Sequence, residues 1–495
     1  MNTPIPKSLK KNQDWLQEHV LLHCQDVKPF SFLMGDDSAA RFVRVWGVYL
    51  DGSTDLERMT QTFMPLFQET FKRGPYRSLH EFRDHLSAPD VAVTQTWERA
   101  EEALFGGQSL LFLDGYEGAL TVDKTKKPER TPDDPPIETS IRGPRDGLVE
   151  NIVDNVALIR KRLPTSHLCC EYFFIGRRSH TRVALLYMQD VARPSLVDAI
   201  RRRLTADTDM DELTESAHLE ELLEDRAFTL FPTFDSTQRA DKSAAVLSEG
   251  RVVLVTDNLP TALIAPATLL QLLQSVDDYQ DRFPFATMTR ILRWTGLFVA
   301  LILPSIYVAS TEYHQDTLPV FLLLSLVSAH RGVPFPTTIE AFMMLGIFEL
   351  FREAGLRLPR AAGQTVGIIG TVVVGDAAVR AGLASTGMLV VMGITAVSTF
   401  TIPNFTLSNA VSLLRFLFLF MASVFGDIGI VLGIVLLVAH WAGLRSFGVS
   451  YLAPFSPFEW SDWKDAFIRI KWTRMNIRPR SLRTTDRARR RSRQK

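Results

Sequence analysis

The spacing of apolar and polar positions divides the chain into two regimes. Over roughly the first 290 residues, apolar positions alternate with charged ones at strand or helix spacing; over the next 155 or so they run almost without a break. In the first regime Arg41–Leu50 (RFVRVWGVYL) reads as a strand, turned at Asp51-Gly52-Ser53. Leu56, Thr60, Phe63 and Phe67 then recur at helical spacing, a second helical stretch covers Thr94–Leu104, and Ser109–Asp114 with Gly118–Asp123 form a hairpin around Gly115-Tyr116. A similar order follows. Arg182–Met188 is a strand, Leu196, Ile200 and Leu204 mark a helix after Pro194, and His218–Asp225 is a further helix. Arg251–Thr256 and Thr261–Ala265 make another hairpin around Asn258-Leu259.

The two hairpins align without a gap, Gly107–Val122 over Gly250–Ala265. Asp114 falls on Asp257 and Ala119-Leu120 on Ala262-Leu263. Two readings stand: an ancient duplication, or chance likeness of two common strand-turn-strand units. The expected fold is α/β plus all-α membrane: two related cytoplasmic α/β subdomains followed by a multi-pass helical transmembrane domain. The expected boundaries are an N-terminal extension at 1–37, read as a loose helix, subdomain 1 at 38–125 and a linker at 126–142. Subdomain 2 with a bracing helix covers 143–285, the transmembrane domain 286–446 and a cytoplasmic basic tail 447–495. Four prolines within DKTKKPERTPDDPPI mark the linker. The brace is the stripe Leu148, Ile152, Val156, Ile159 and Leu163, stopped by Pro164.

Within the apolar regime Ile291–Thr311 is long enough to span, whereas Leu318–Ala329 is about half a span and reads as re-entrant or tilted. Thr337 and Glu340 have capping-box spacing. Glu349, Arg352 and Glu353 make their helix too charged to face lipid all round. Gly387–Ile402 is another span, and Leu413–Trp441, interrupted at Gly426-Asp427, is either one broken helix or two short ones. Between them, Ala362–Ala381 wound as a helix places Gly363, Gly367 and Gly370 on one narrow face suited to close helix packing. Thr365, Ile369, Val372 and Asp376 fall roughly 150–200° away. A carboxylate at membrane depth is costly without a partner, so Asp376 and Asp427 are candidate functional acids. Asp376 can equally pair with Arg380, one turn on, and Asp427 can sit in a buried pair or a wet cavity.

Charge totals are balanced, with 55 basic and 55 acidic residues, but nine basic groups against Asp486 alone crowd Arg478–Lys495. That tail suits anionic headgroups and, with no secretory signal at the start, predicts both termini on the cytoplasmic side and an even number of crossings, about four. Trp441, Trp460 and Trp463 sit where interfacial aromatics would. Cys24, Cys169 and Cys170 form no disulfide framework. No nucleophile or metal-ligand constellation is present in the sequence, so no catalytic, cofactor or metal site is expected, and a nucleic-acid partner is not expected either.

Three stretches carry a family resemblance: GPRDGLVENIVDNVALIRKRL, the Glu249–Tyr279 block EGRVVLVTDNLPTALIAPATLLQLLQSVDDY, and above all Val333–Val379, VPFPTTIEAFMMLGIFELFREAGLRLPRAAGQTVGIIGTVVVGDAAV. They resemble the A subunits of bacterial spore germinant receptors, the GerA family, from about Gly143 to Pro457. The PFP…EAGLRLP…GQT wording is more similar to the receptor branch than to the paralogue encoded with the spore dipicolinate-channel proteins. The resemblance implies a multi-pass protein of the spore inner membrane with its N-terminal domain on the core side. It implies a transporter-like B subunit that binds the nutrient, a lipoprotein C subunit, and release of monovalent cations. It also implies a homo-oligomeric ring, a pentamer, whose helices form an ion channel. Thr365, Ile369, Val372 and Asp376 are then the pore-lining candidates. The competing expectation is a scaffold that assembles the receptor and conducts nothing.

Overall fold

The computed structural model describes residues 3–36, 41–125, 138, 143–144, 146–206, 210–225, 228–358 and 375–489. They fall into two units. One comprises Met1–Ala227, Phe234–Pro266 and Asn476–Lys495; the other comprises Phe228–Thr233 and Ala267–Met475.

The first unit holds two five-stranded antiparallel sheets. The first has strands β1 (Val27–Asp36), β2 (Arg41–Leu50), β3 (Val91–Thr94), β4 (Ser109–Leu113) and β5 (Ala119–Val122), in the order β1-β2-β4-β5-β3. The second has β6 (Leu168–Ile175), β7 (Thr181–Met188), β8 (Asp235–Thr237), β9 (Val252–Thr256) and β10 (Ala262–Ala265), in the equivalent order β6-β7-β9-β10-β8. The register repeats as well. Ser109 faces Val122 and Thr94 faces Ala119 in the first sheet; Val252 faces Ala265 and Thr237 faces Ala262 in the second, each 143 residues on. The same offset relates the helices Trp97–Phe105 and Ala240–Ser248, and the positive-φ pair Gly107 and Gly250 that ends the turn before each hairpin. Strand Arg41–Leu50 therefore corresponds to Thr181–Met188, and one order serves both halves, as a duplication requires.

The structure corrects the reading of residues 1–37 as a loose extension. Ile5 N–H donates to Gln95 C=O as Leu148 N–H does to Gln238 C=O, and Asn12 Nδ2 donates to Pro6 C=O as Asn155 Nδ2 does to Val149 C=O. Helix Leu9–Leu16 is thus the counterpart of Ile152–Arg162, the predicted brace, and β1 is the counterpart of β6. Pro29 lies within β1, which is tolerated because β1 is an edge strand and needs ladder bonds on one side only.

A second correction concerns the tail. Residues 476–489 are packed against the second half rather than free. Thr485 N–H donates to Val191 C=O at 3.0 Å, Arg478 Nε donates to Ser248 C=O at 2.9 Å, and Arg489 pairs with Glu249. A Cβ on Gly250 would meet Thr484 Cγ2 at 2.5 Å; a Cβ on Gly107 would meet Thr125 Cγ2 at 2.8 Å. In the first half the chain running on from β5 fills this place, with Thr125 bridging Thr54. After β10 the chain leaves at Pro266, and the C-terminal segment supplies the missing piece. Deleting residues 476–495 is expected to raise amide exchange at Val191–Ala192 and Ser248–Arg251 sharply, while Thr54 and Thr125 stay protected; equal change in both halves, or in neither, would contradict this completion role.

Two halves meet at a main-chain bridge between Cys24 and Cys170, next to an ion pair that is 1% exposed on both sides. Arg160 Nη2 donates to Asp26 Oδ1 at 3.0 Å, with Nε 2.6 Å from Oδ2. Burial alone would pull the guanidinium toward neutrality; the Asp26 carboxylate more than reverses this and holds the Arg160 pKa above its ordinary value.

The second unit is helical. Among the described residues its α-helices are the short Leu269–Leu272 and Asp277–Gln280, then Phe283–Glu312, Val320–His330, Thr337–Arg357, Gly375–Arg380, Thr386–Thr399, Phe405–Phe425 and Asp427–Gly443. Phe283–Glu312 and Phe405–Phe425 are long and apolar enough to cross a membrane; Val320–His330, Thr386–Thr399 and Asp427–Gly443 are apolar but shorter. The core is formed by Leu297 and Leu301 from the first long helix and by Leu407, Val411 and Phe418 from the second, with Trp441 and Tyr451. The apolar run from Leu413 resolves into two helices because Gly426 adopts φ +61° between them. Val320–His330 buries none of its side chains. The segment after Gly443 does not begin a free tail: residues up to 475 belong to this unit.

Candidate functional site: a buried charged network among the helices

Pro304 lies inside helix Phe283–Glu312. With no N–H it cannot satisfy the carbonyl four residues back, that of Ala300. Arg415 meets that carbonyl. It stands at the middle of Phe405–Phe425, is fully buried, and its Nε donates to Ala300 C=O at 2.6 Å. Its Nη2 donates to Thr399 Oγ1 at 2.6 Å, and Thr399 Oγ1 in turn donates to Thr395 C=O. Its Nη1 lies 3.6 Å from Glu349 Oε1, too far for a hydrogen bond, and both atoms are buried. Glu349 Oε2 accepts from Arg352 Nε at 2.7 Å, and Arg352 Nη1 donates to Asn409 Oδ1 at 2.7 Å. One carboxylate thus lies between two guanidiniums, in a network that touches four helices. Such groups are retained in an apolar unit only when each finds partners, and they mark function by default.

A second polar cluster is built on Glu340, which is 0% exposed. Its spacing from Thr337 predicts a capping box, but helix Thr337–Arg357 opens after Pro336 without a side-chain cap. Glu340 Oε1 instead accepts from the N–H of Ser385 at 2.6 Å and its hydroxyl at 2.8 Å, at the start of helix Thr386–Thr399. A carboxylate there favours the positive end of that helix's dipole. Glu340 Oε2 is 3.4 Å from His330 Nδ1.

Of the acids singled out from sequence, Asp376 lies on the short helix Gly375–Arg380 and pairs with Arg380 at 2.8 Å, both side chains being more than half exposed. Asp427 is not at mid-helix depth. The break at Gly426 makes it the first residue of Asp427–Gly443, half exposed and 3.1 Å from His314 Nδ1. Thr365, Ile369, Val372, Gly363, Gly367 and Gly370 lie outside the described residues. Glu349 and Arg352 were visible as misfits on an apolar helix. Arg415 was missed, although a lone cation in LLRFLFLF was signal enough.

A duplicated α/β unit joined to an apolar helical unit with charges buried between its helices defines the class. The family model described as Bacillus/Clostridium GerA spore germination protein matches residues 15–481. The chain belongs to that GerA spore germination family. The match begins well before Gly143, in line with the N-terminal half being a full repeat. The chain is 36% identical to spore germination protein KA of Bacillus subtilis (strain 168) over 443 residues, 89% of this chain and 81% of that protein. It is 37% identical to the uncharacterized membrane protein YfkQ of the same organism over 478 residues, 96% of this chain and 91% of that one. The crystal structure of the N-terminal domain of the A subunit of the Bacillus megaterium spore germinant receptor GerK3 is 28% identical, covers 54% of this chain and 98% of its own, and has a TM-score of 0.42.

Proposed function

We propose that this chain is the A subunit of a spore germinant receptor, a multi-pass protein of the spore inner membrane with both termini on the core side, whose copies form a germinant-gated cation channel. The observation that carries the reading is near full-length similarity to spore germination proteins at over a third identity. Two apolar helices long enough to cross a bilayer, with charged groups buried beside them, support it. In this reading five copies form a ring beside a transporter-like B subunit and a lipoprotein C subunit, and monovalent cations pass through. Thr365, Ile369, Val372 and Asp376 share one helical face and line the path as a hydroxyl ring, two apolar rings and an acidic ring; Gly363, Gly367 and Gly370 pack against a neighbouring helix.

The second reading, a non-conducting scaffold of the receptor, is favoured by one observation: Asp376 and Asp427 each hold a cationic or imidazole partner within the single chain. Potassium efflux from spores or proteoliposomes separates the two. Under the channel reading Val372→Ala leaks without germinant, several-fold above the parent, and Asp376→Asn lowers cation preference while the complex still assembles. A silent Val372→Ala with an Asp376→Asn that only blocks assembly would establish the scaffold.

A further inference from the structure

The charge and aromatic pattern near the C-terminus divides differently from the sequence-based expectation. Residues 476–489 are packed on the α/β unit, so their arginines are not a free basic tail. The segment just before them, 454–475, belongs to the helical unit and is fastened to the first turns of Phe283–Glu312. Arg290 Nη1 donates to Asp465 Oδ1 at 2.7 Å, and Arg469 N–H donates to Thr287 Oγ1 at 3.2 Å. Phe467 packs on Trp294 at 5.0 Å between ring centroids, and Phe455 packs on both rings. The inner face of this segment is therefore fixed against the longest apolar helix near its start.

Its outer face is amphipathic. Trp460 is 76% exposed, Trp472 and Ile468 are each 57% exposed, and Phe458 is 51% exposed. Beside them Lys464, Lys471 and Arg474 are exposed, and Lys471 Nζ sits 5.5 Å from the ring of Phe283, the first residue of the long helix. The acids of the segment, Glu459, Asp462 and Asp465, are all partly buried, so its more exposed charges are basic. Water alone gives no reason to expose two tryptophans and a phenylalanine together. A bilayer interface does: indole rings prefer headgroup depth, and basic side chains beside them meet lipid phosphates.

We propose that residues 454–475 form a docking surface for anionic glycerophospholipid at the membrane interface, with Trp460 and Trp472 inserted at headgroup depth and Lys464, Lys471 and Arg474 on the phosphates. The proposal rests on Phe283–Glu312 lying in a bilayer, part of the function proposed above, but not on ion conduction. Its test uses the full chain in nanodiscs of phosphatidylcholine or phosphatidylglycerol. Lipids brominated near the headgroup should quench tryptophan fluorescence, and Trp460→Phe/Trp472→Phe should remove most of that quenching. Lys464→Gln/Lys471→Gln/Arg474→Gln should cut the phosphatidylglycerol retained on purification from mixed lipid by about a hundredfold, given roughly fivefold for each of the three basic groups near an anionic surface. Unchanged elution on gel filtration keeps the variants comparable, and the tryptophan variant, which leaves every charge in place, gives an independent reading if the charge variant does not fold. Quenching that survives the double substitution, or equal phosphatidylglycerol retention by parent and charge variant, overturns the proposal. Neither readout involves ion flux, so a failed channel and a failed lipid surface are distinguishable.

Discussion

Asp26→Ala is expected to destabilise the α/β unit by about 3–5 kcal/mol, the cost of leaving a buried charge without its counterion. Arg160 is 1% exposed and cannot reach water; its remaining contacts are the carbonyls of Thr165 and Leu168 and the ring of Phe105 at 5.0 Å. None of these carries a full negative charge. The pair bridges the halves, since Asp26 immediately precedes β1 and Arg160 stands on the helix before β6. The loss should therefore appear first as exchange of the amides that join them, Gln25 N–H to Cys170 C=O and Cys170 N–H to His23 C=O. The double variant Asp26→Leu/Arg160→Met removes both charges and should regain most of the stability, because replacing a buried pair with apolar groups of similar volume is often neutral. Denaturant unfolding of the detergent-solubilised chain, with hydrogen exchange, measures both. If Asp26→Ala costs under about 1 kcal/mol, the pair is not what holds the joint.

The contrast between the two hairpins and the rest of the repeat shows what sequence exposes. Strands β4, β5, β9 and β10 are buried throughout, so both copies keep apolar residues at most positions, Ser109, Thr121 and Thr256 being the polar ones, and the match is legible. The equivalence of residues 3–36 with 146–175 is carried by main-chain hydrogen bonds, such as those of Ile5 and Leu148, which constrain geometry and hardly constrain side chains. β1 also contains Pro29, which argues against a strand unless its edge position is known. Basic composition suggested a headgroup-binding tail, but the partners that hold it, Glu249 and the carbonyls of Val191 and Ser248, are more than 220 residues away. Glu340 was misread for a related reason. Capping-box spacing is local, whereas its true partner, Ser385, is 45 residues on.

Arg415→Ala is expected to destabilise the helical unit strongly, by roughly 3–5 kcal/mol, and Pro304→Ala is expected to return part of that loss. The cost has three sources: a cavity in place of a large side chain, Glu349 left with Arg352 alone, and an orphaned Ala300 carbonyl. The last is the distinctive one. Pro304 has no N–H for that carbonyl, so the helix relies on a donor from another helix, Arg415 Nε. Alanine at 304 restores an N–H four residues after Ala300 and lets the helix satisfy itself. A double-mutant cycle should therefore show a coupling of about 1–2 kcal/mol between residues 304 and 415, near the cost of one buried unsatisfied carbonyl. Arg415→Lys should fall short of the parent, since an ammonium cannot present the planar fork that reaches Ala300 and Thr399 at once. Apparent unfolding of the chain in detergent, measured for the two single variants and the double, supplies the cycle. Additive effects would mean that Arg415 acts through packing and charge alone, and that the carbonyl freed by Pro304 is satisfied by another group.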